Sequence, residues 1–318
     1  MQIDVFNGDA DGICALIQLR LAQPKTSLLV TGVKRDIELL SRVQANAEDQ
    51  ISVLDISLAK NITDLQRLLS AGAEIFYVDH HQAGDIPIHP RLTTLIDTDP
   101  NLCTSLLVNH YLQNQFSAWA VVAAFGDNLE QSAIKTATEL ALSENELHLL
   151  KNLGICINYN SYGHQLSDLP IQPDKLYQQL IPYHSPLDFI QDQAELYQQL
   201  LHAYQQDLTV ALATPTEFEN QNIAVYLLPD LPWSRRISGV FGNELANRFP
   251  QRAHAILTIN SQNGYLISVR APLINKTGAD ELCSAFATGG GRKGAAGINH
   301  LPIDQLPTFI QKFAQQYA

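Results

Sequence analysis

Five short runs rich in β-branched and aromatic residues punctuate the first hundred residues: QIDVF (2–6), SLLVTG (27–32), ISVLD (51–55), EIFYVD (74–79) and TTLID (93–97). Between them, ICALIQLRLA (13–22), DIELLSRVQAN (36–46) and residues 59–70 carry apolar side chains at helical spacing. Strands that alternate with helices build βαβ units, and βαβ units build a mainly parallel sheet with helices on both faces. Coverage on both faces explains why the runs are apolar throughout and do not alternate with polar residues. The pattern predicts an α/β chain with an N-terminal, mainly parallel sheet flanked by helices.

Residues 103–212 read as mostly helical. Prolines at 173, 182 and 186 each start or end a helix there, and a long helix over about 188–212 leads out of the region. Strands return at IAVYLL (223–228), AHAILTI (253–259) and GYLISVRA (264–271), with a helix near 237–248, which predicts a smaller C-terminal α/β domain. The polar run TPTEFENQN (214–222) interrupts the pattern. The expected organisation is a catalytic domain over 1–190, a connecting helix over 191–214 and a second domain over 215–318. Charge follows the same division: residues 1–214 hold 11 Lys and Arg against 25 Asp and Glu, whereas residues 215–318 hold 9 against 7.

A net charge of -12 argues against a protein that coats long duplex nucleic acid. No apolar run approaches the roughly 20 residues that span a bilayer. The start MQIDVFNGDADG lacks the basic and apolar stretches of a signal peptide, so a cytoplasmic protein is expected. Cys14, Cys103, Cys156 and Cys283 lie far apart and read as reduced, buried small side chains.

The informative acids fall at strand ends. Asp9 and Asp11 follow the first strand in NGDADG, Asp55 ends the third in SVLDIS, and Asp79, His80 and His81 end the fourth in YVDHH. Asp127 follows a small-residue run in VVAAFGDN. Taken singly, an Asp after a strand is a turn former or helix N-cap. Ligands of open α/β sheets, however, bind outside the carboxyl ends of the strands, so these side chains meet at one edge. Several carboxylates converging without countercharge would repel, and divalent cations resolve that repulsion. Oxygen-rich ligation with one or two His suits manganese, and two close ions clamp an in-line displacement at phosphorus. A second segment, TGGGRKGAAG (288–297), offers glycines that let backbone approach an anion, with Arg292 and Lys293 adding positive charge. Arg270 lies near the end of the preceding strand, and its planar fork suits phosphate oxygens.

Together these segments resemble the DHH phosphoesterase family with its DHH-associated C-terminal domain, a group that includes RecJ-like exonucleases and oligoribonuclease-like phosphodiesterases. NGDADG, SVLDIS, VDHH and AAFGDN are similar to its four motifs in order, and GGGRKGAAG to the signature of the associated domain. The resemblance implies a two-ion centre, manganese with magnesium or cobalt as substitutes, in the cleft between the two domains. Asp9 would bind one ion and Asp11 the other, Asp55 would bridge them, and His80 and Asp127 would complete the second site. His81 would face the substrate phosphate, and Asp79 would either ligate or orient an imidazole. Gly289, Gly290, Gly291, Arg292, Lys293 and Arg270 would hold the substrate. This chain has Asn7 where many relatives have a His before the first Asp pair, leaving Asn7 to ligate through its carbonyl oxygen or to contact substrate. It has Arg292 where relatives often carry a His after the glycines. Arginine does not transfer protons at neutral pH, so Arg292 is assigned to charge neutralisation.

The implied activity is metal-dependent hydrolysis of short oligonucleotides or linear dinucleotides. A single-strand exonuclease, a cyclic-dinucleotide phosphodiesterase and an exopolyphosphatase or pyrophosphatase are the alternatives. No membrane partner is expected, and a homodimer is compatible with the resemblance. Tyr159, Tyr162 and Phe241 are aromatics that either stack on a base or pack in the core, with core packing the expectation. The polar stretch 157–170 (INYNSYGHQLSDLP) either lines the cleft or forms a surface loop.

Overall fold

The computed structural model describes residues 1–260 and 262–318. The chain divides into two compact units, Met1–His202 and Ala203–Ala318. The division falls within the stretch 191–214 that the sequence marks as a connection.

The first unit contains β1 (Gln2–Phe6), α1 (Ala10–Ala22), β2 (Leu28–Val30), β3 (Gln50–Leu54), α2 (Leu58–Ser70), β4 (Glu74–Asp79) and β5 (Leu92–Ile96). After these come α3 (Thr104–Tyr111), α4 (Ser117–Gly126), α5 (Glu130–Ala137), α6 (Glu144–Ser161), α7 (Pro173–Leu180), α8 (Pro186–Asp192) and α9 (Ala194–Leu212), which runs across the division. The five strands form one parallel sheet in the order β2-β1-β3-β4-β5. On one face, Ile3, Val5, Ile51, Val53, Ile75 and Tyr77 pack against Leu58, Leu65 and Leu68 of the amphipathic α2. The other face meets α1, whose residues from Ala10 to Arg20 are all buried. The helix lies inside the fold, its few polar side chains paired there, and α3, α4 and α6 cover what the sheet does not.

That second face also holds an ion pair. Asp4 of β1 is fully buried and accepts from Arg20 Nε at 2.8 Å and from Arg20 Nη2 at 2.5 Å. Arg20 Nη2 also donates to Ser52 Oγ at 2.8 Å, and Gln2 Nε2 donates to Asp4 at 3.0 Å.

Two expected helices differ from the sequence reading. Residues 36–46 form only one 3₁₀ turn, Leu39–Arg42. The Asn61 side chain accepts from Leu40 N and donates to Ile37 O, taking backbone groups that a helix would have paired internally. The long helix expected over 188–212 is broken at Gln193 into α8 and α9. Pro173 and Pro186 start α7 and α8, while Pro182 follows the end of α7. The stretch 157–170 is not one loop, because α6 runs to Ser161 and buries Tyr159.

The second unit contains β6 (Phe218–Glu219), β7 (Ile223–Leu227), α10 (Pro232–Arg248), β8 (Ala253–Ile259), β9 (Gly264–Arg270), α11 (Ala279–Ser284), β10 (Gly289–Gly291), β11 (Ala295–Pro302) and α12 (Leu306–Gln316). Its mixed sheet runs β10-β11-β9-β8-β7-β6, with β7 and β8 parallel and joined through α10. Phe309 and Phe313 of α12, with Leu282 and Cys283 of α11, close one face over Ala255, Leu257, Ile267 and Val269. All four cysteines are buried free thiols. Among the described residues, no helix is long and apolar enough to cross a membrane.

His254 of β8 is fully buried, and neither ring nitrogen has a hydrogen-bond partner among the described residues. Burial, aided by the Arg252 charge, pushes its pKa down to about 4. An unfolded His titrates near 6.5, so the unfolded chain takes up this proton first as pH falls. The stability present above pH 6.5 is then lost between 6.5 and 4, by about 1.4 kcal/mol per pH unit. Urea unfolding at pH 7, 5.5 and 4.5 is expected to show this extra slope in the wild type and not in His254→Leu. Equal slopes in the two would mean that the ring is hydrated.

Candidate metal centre

The carboxyl ends of β1, β3 and β4 carry the acids, and the start of each following segment fixes their geometry. Asp9 is the N-cap of α1, its Oδ1 accepting from Asp11 N and Gly12 N at 3.0 Å. Asp11, in the first turn, reaches across to the start of α3. There Thr104 N donates to its Oδ2 at 2.8 Å and Ser105 N to its Oδ1 at 2.7 Å. Helix N-termini present unpaired N–H groups, so an acid is stabilised there even without a cation. Asp55 follows β3 with φ of 60°, in the left-handed region that Asp tolerates better than most side chains. Its Oδ1 accepts from Thr104 Oγ1 at 3.3 Å.

Asp127 arrives from another direction. It directly follows α4, and a Cβ at Gly154 of α6 would sit 2.1 Å from Val122 O, while one at Gly126 would sit 2.5 Å from Ala10 Cβ. Only glycine lets α4 approach α6 and the beginning of α1 so closely. That approach brings Asp127 alongside the β1–α1 turn.

His80 joins these acids. Its Nδ1 lies 2.8 Å from Leu102 O, a contact that requires Nδ1–H to donate and turns Nε2 toward the acids. Nε2 stands 3.4 Å from Asp55 Oδ1, 3.7 Å from Asp11 Oδ2 and 3.8 Å from Asp127 Oδ2. A carbonyl fixing the tautomer while the other nitrogen faces carboxylates is the usual arrangement of a metal-ligating imidazole. His81 Nδ1 lies 2.7 Å from Asp79 Oδ1, which also accepts from His80 N at 2.8 Å. Asp79 thus holds the His81 ring and the His80 backbone, while the His80 ring is held by Leu102 O.

Two sets of potential ligand atoms result, Asp11–His80–Asp127 and Asp55–His80–His81, with His80 common to both. Burial pushes the Asp11 carboxyl above its usual range, Asp127 and Asp9 adding to this and His80 opposing it. Burial, followed by the charges of Asp9 and Asp11, pushes Asp55 well above it. Carboxylates about 4 Å apart repel by about 4 kcal/mol at an effective permittivity near 20. The donor set therefore fits a hard divalent cation. Asn7 adds a further acceptor, since among the described residues its buried Oδ1 has no hydrogen-bond partner.

Lys34, four residues past β2, escaped the sequence reading. Its Nζ donates to Asp9 Oδ2 and to Asn158 Oδ1 at 3.0 Å, and it lies 3.6 Å from Asp127 Oδ1. Burial alone would lower the Lys34 pKa, but Asp9, Tyr162 and Asp127 more than reverse this and keep the ammonium charged. The strand-end rule that singled out β1, β3 and β4 applies equally to β2, and that signal was available.

In the second unit the three glycines form the edge strand β10, not a loop. Successive N–H groups of a strand alternate in direction, so the glycines do not make the anion nest that their run suggests. Gly289 and Gly291 are required by packing, since their Cβ atoms would meet Cys283 O at 1.8 Å and Ala296 Cα at 2.5 Å. Arg292 and Ala295 exchange backbone hydrogen bonds across a tight turn whose tip holds the exposed Lys293. Arg270 donates through Nε to Asn243 Oδ1 at 2.6 Å, through Nη1 to Val269 O and through Nη2 to Gly239 O, so its fork braces α10. Tyr159 and Phe241 are fully buried and Tyr162 nearly so, in accord with core packing.

No protein-family model matches the sequence, and a comparison with curated proteins finds no match. Solved structures do match. A DHH domain described as a member of the s1p family of ribosomal proteins aligns over 99% of this chain and 86% of its own, with a TM-score of 0.68 and 14% identity. Exonuclease RecJ bound to manganese aligns over 99% and 90%, with a TM-score of 0.61 and 17% identity. The pGpG-specific phosphodiesterase PggH from Vibrio cholerae aligns over 99% and 98%, with a TM-score of 0.58 and 13% identity. The fold of this chain is that of the DHH-domain proteins.

Proposed function

We propose, from the DHH-domain fold, that this chain is a manganese-dependent phosphodiesterase acting on short oligonucleotides or linear dinucleotides. The observation that carries the reading is the pair of ligand sets meeting at His80 beyond the carboxyl ends of a parallel sheet. Manganese in RecJ and the dinucleotide specificity named for PggH support it. A divalent ion held by Asp11, Asp55, His80 and Asp127 would supply charge that favours hydroxide over water and offsets the phosphate.

The side chains do the remaining work. Asp79 holds His81 through Nδ1, leaving Nε2 as the ring atom for a non-bridging phosphate oxygen. Arg292 and Lys293, at the tip of the glycine hairpin, are assigned to the charge of the substrate. Interactions of this kind, made to charge that develops in the transition state, contribute a few kcal/mol each. Arg270 takes a supporting place, since three of its N–H groups already hold α10 and β9. The excess of Asp and Glu over Lys and Arg in residues 1–214 disfavours long single strands, whose backbone calls for a basic groove.

The test compares a linear dinucleotide, a 20-nucleotide single strand, a cyclic dinucleotide and polyphosphate, each with manganese and with chelator. Manganese-dependent loss of the linear dinucleotide ahead of the others is expected. Consumption of polyphosphate alone would overturn the nucleotide reading, and absence of any hydrolysis would overturn the enzymatic one. Asp79→Asn is expected to reduce turnover about 10- to 100-fold, the usual cost of losing an orienting partner. Unchanged steady-state rates would show that His81 needs no such partner.

A further inference from the structure

We propose that the Lys34 ammonium stands in for one of the two cations, so that the centre takes a single divalent ion. The inference rests on the metal-dependent reading for the remaining ion and departs from it in the count. Asp9, which the resemblance assigns to an ion of its own, has both oxygens committed, Oδ1 to the start of α1 and Oδ2 to Lys34. Neither potential ligand set includes Asp9, whereas Asp11, Asp55, His80 and Asp127 all appear in one or the other.

Lys34 is held there from several sides. Its backbone N donates to Ser161 O at 2.9 Å, and its carbonyl accepts from Asn7 Nδ2 at 3.3 Å. Asn158, on α6, accepts from the ammonium, and the Tyr162 ring lies beneath it at 5.5 Å. A Cβ at Gly8 would sit 2.1 Å from Gly32 O, so the segment leading to Lys34 lies directly against the β1–α1 turn. Asn7, the position at which this chain departs from the resemblance, therefore serves Lys34 through its amide. A covalently attached cation that is anchored at both ends of its residue gives Asp9 a permanent counter-ion. An ion that took Asp9 Oδ2 as a ligand would have to displace it.

Two measurements on the metal-free full-length chain decide the matter. Titration with manganese, followed by calorimetry and by electron paramagnetic resonance, is expected to give one ion per chain with the six-line signal of an isolated centre. Lys34→Met, which keeps the aliphatic stem, and Lys34→Gln are expected to admit a second ion and convert the signal to that of a spin-coupled pair. Two ions in the wild type would overturn the role of Lys34 and leave the metal-dependent reading intact. One ion in the wild type and still one in both variants would overturn the substitution. No manganese binding at all would take down both readings.

Discussion

Asp55→Asn is expected to lower manganese-dependent hydrolysis about a thousandfold, equivalent to about 4 kcal/mol of lost transition-state stabilisation. Asparagine keeps the shape of the side chain and tolerates the left-handed backbone at this position, which alanine would meet with strain of about 1 kcal/mol. The same substitution is expected to stabilise the metal-free chain. An acid whose folded-state pKa is raised contributes stability at low pH and loses it as pH rises through that value, and Asp55 is such an acid. Metal-free Asp55→Asn should therefore melt above the wild type at pH 7, with the gap closing toward pH 4. Near-wild-type hydrolysis by the variant would remove Asp55 from the centre. A lower melting temperature at pH 7 would show that its carboxylate is structural.

The other large effect is on stability and lies away from the site. Arg20→Met strips Asp4 of its counter-ion in a dry interior, with Gln2 Nε2 as its remaining side-chain donor, which is expected to cost about 3–5 kcal/mol of unfolding free energy. The double variant Asp4→Leu/Arg20→Met should recover most of that loss, because an apolar pair of similar volume avoids the desolvation of both charges. Urea denaturation of the four members of the cycle measures the coupling. A cost below about 1 kcal/mol for Arg20→Met would mean that water reaches Asp4.

Strand positions were legible because runs such as QIDVF and AHAILTI have one structural fate, and the observed β1 and β8 match them residue for residue. The acids of the centre were legible for a related reason, since a parallel sheet collects whatever follows its strands at one edge. What stayed hidden depends on partners distant in sequence. DIELLSRVQAN has helical spacing, yet Asn61 captures its backbone groups from another helix. The break at Gln193 carries no proline or glycine to announce it. Lys34 looks like any surface lysine after a strand until the fold sets it between Asp9 and Asn158. The glycine hairpin misled in the opposite sense. Two of its three glycines answer to crowding by Cys283 and Ala296, and only Gly290 has open space where a side chain would be.

The acids at the sheet edge are stitched to backbone amides, Asp9 to the first turn of α1 and Asp11 to that of α3. Their spacing is thus set by the scaffold during folding, and an arriving ion has little ordering entropy to overcome. Chelation would empty such a receptacle without unravelling it, in contrast to small zinc modules that collapse when stripped. The repulsion among the acids persists in the emptied state like a compressed spring, and its release on refilling adds to the grip on the ion.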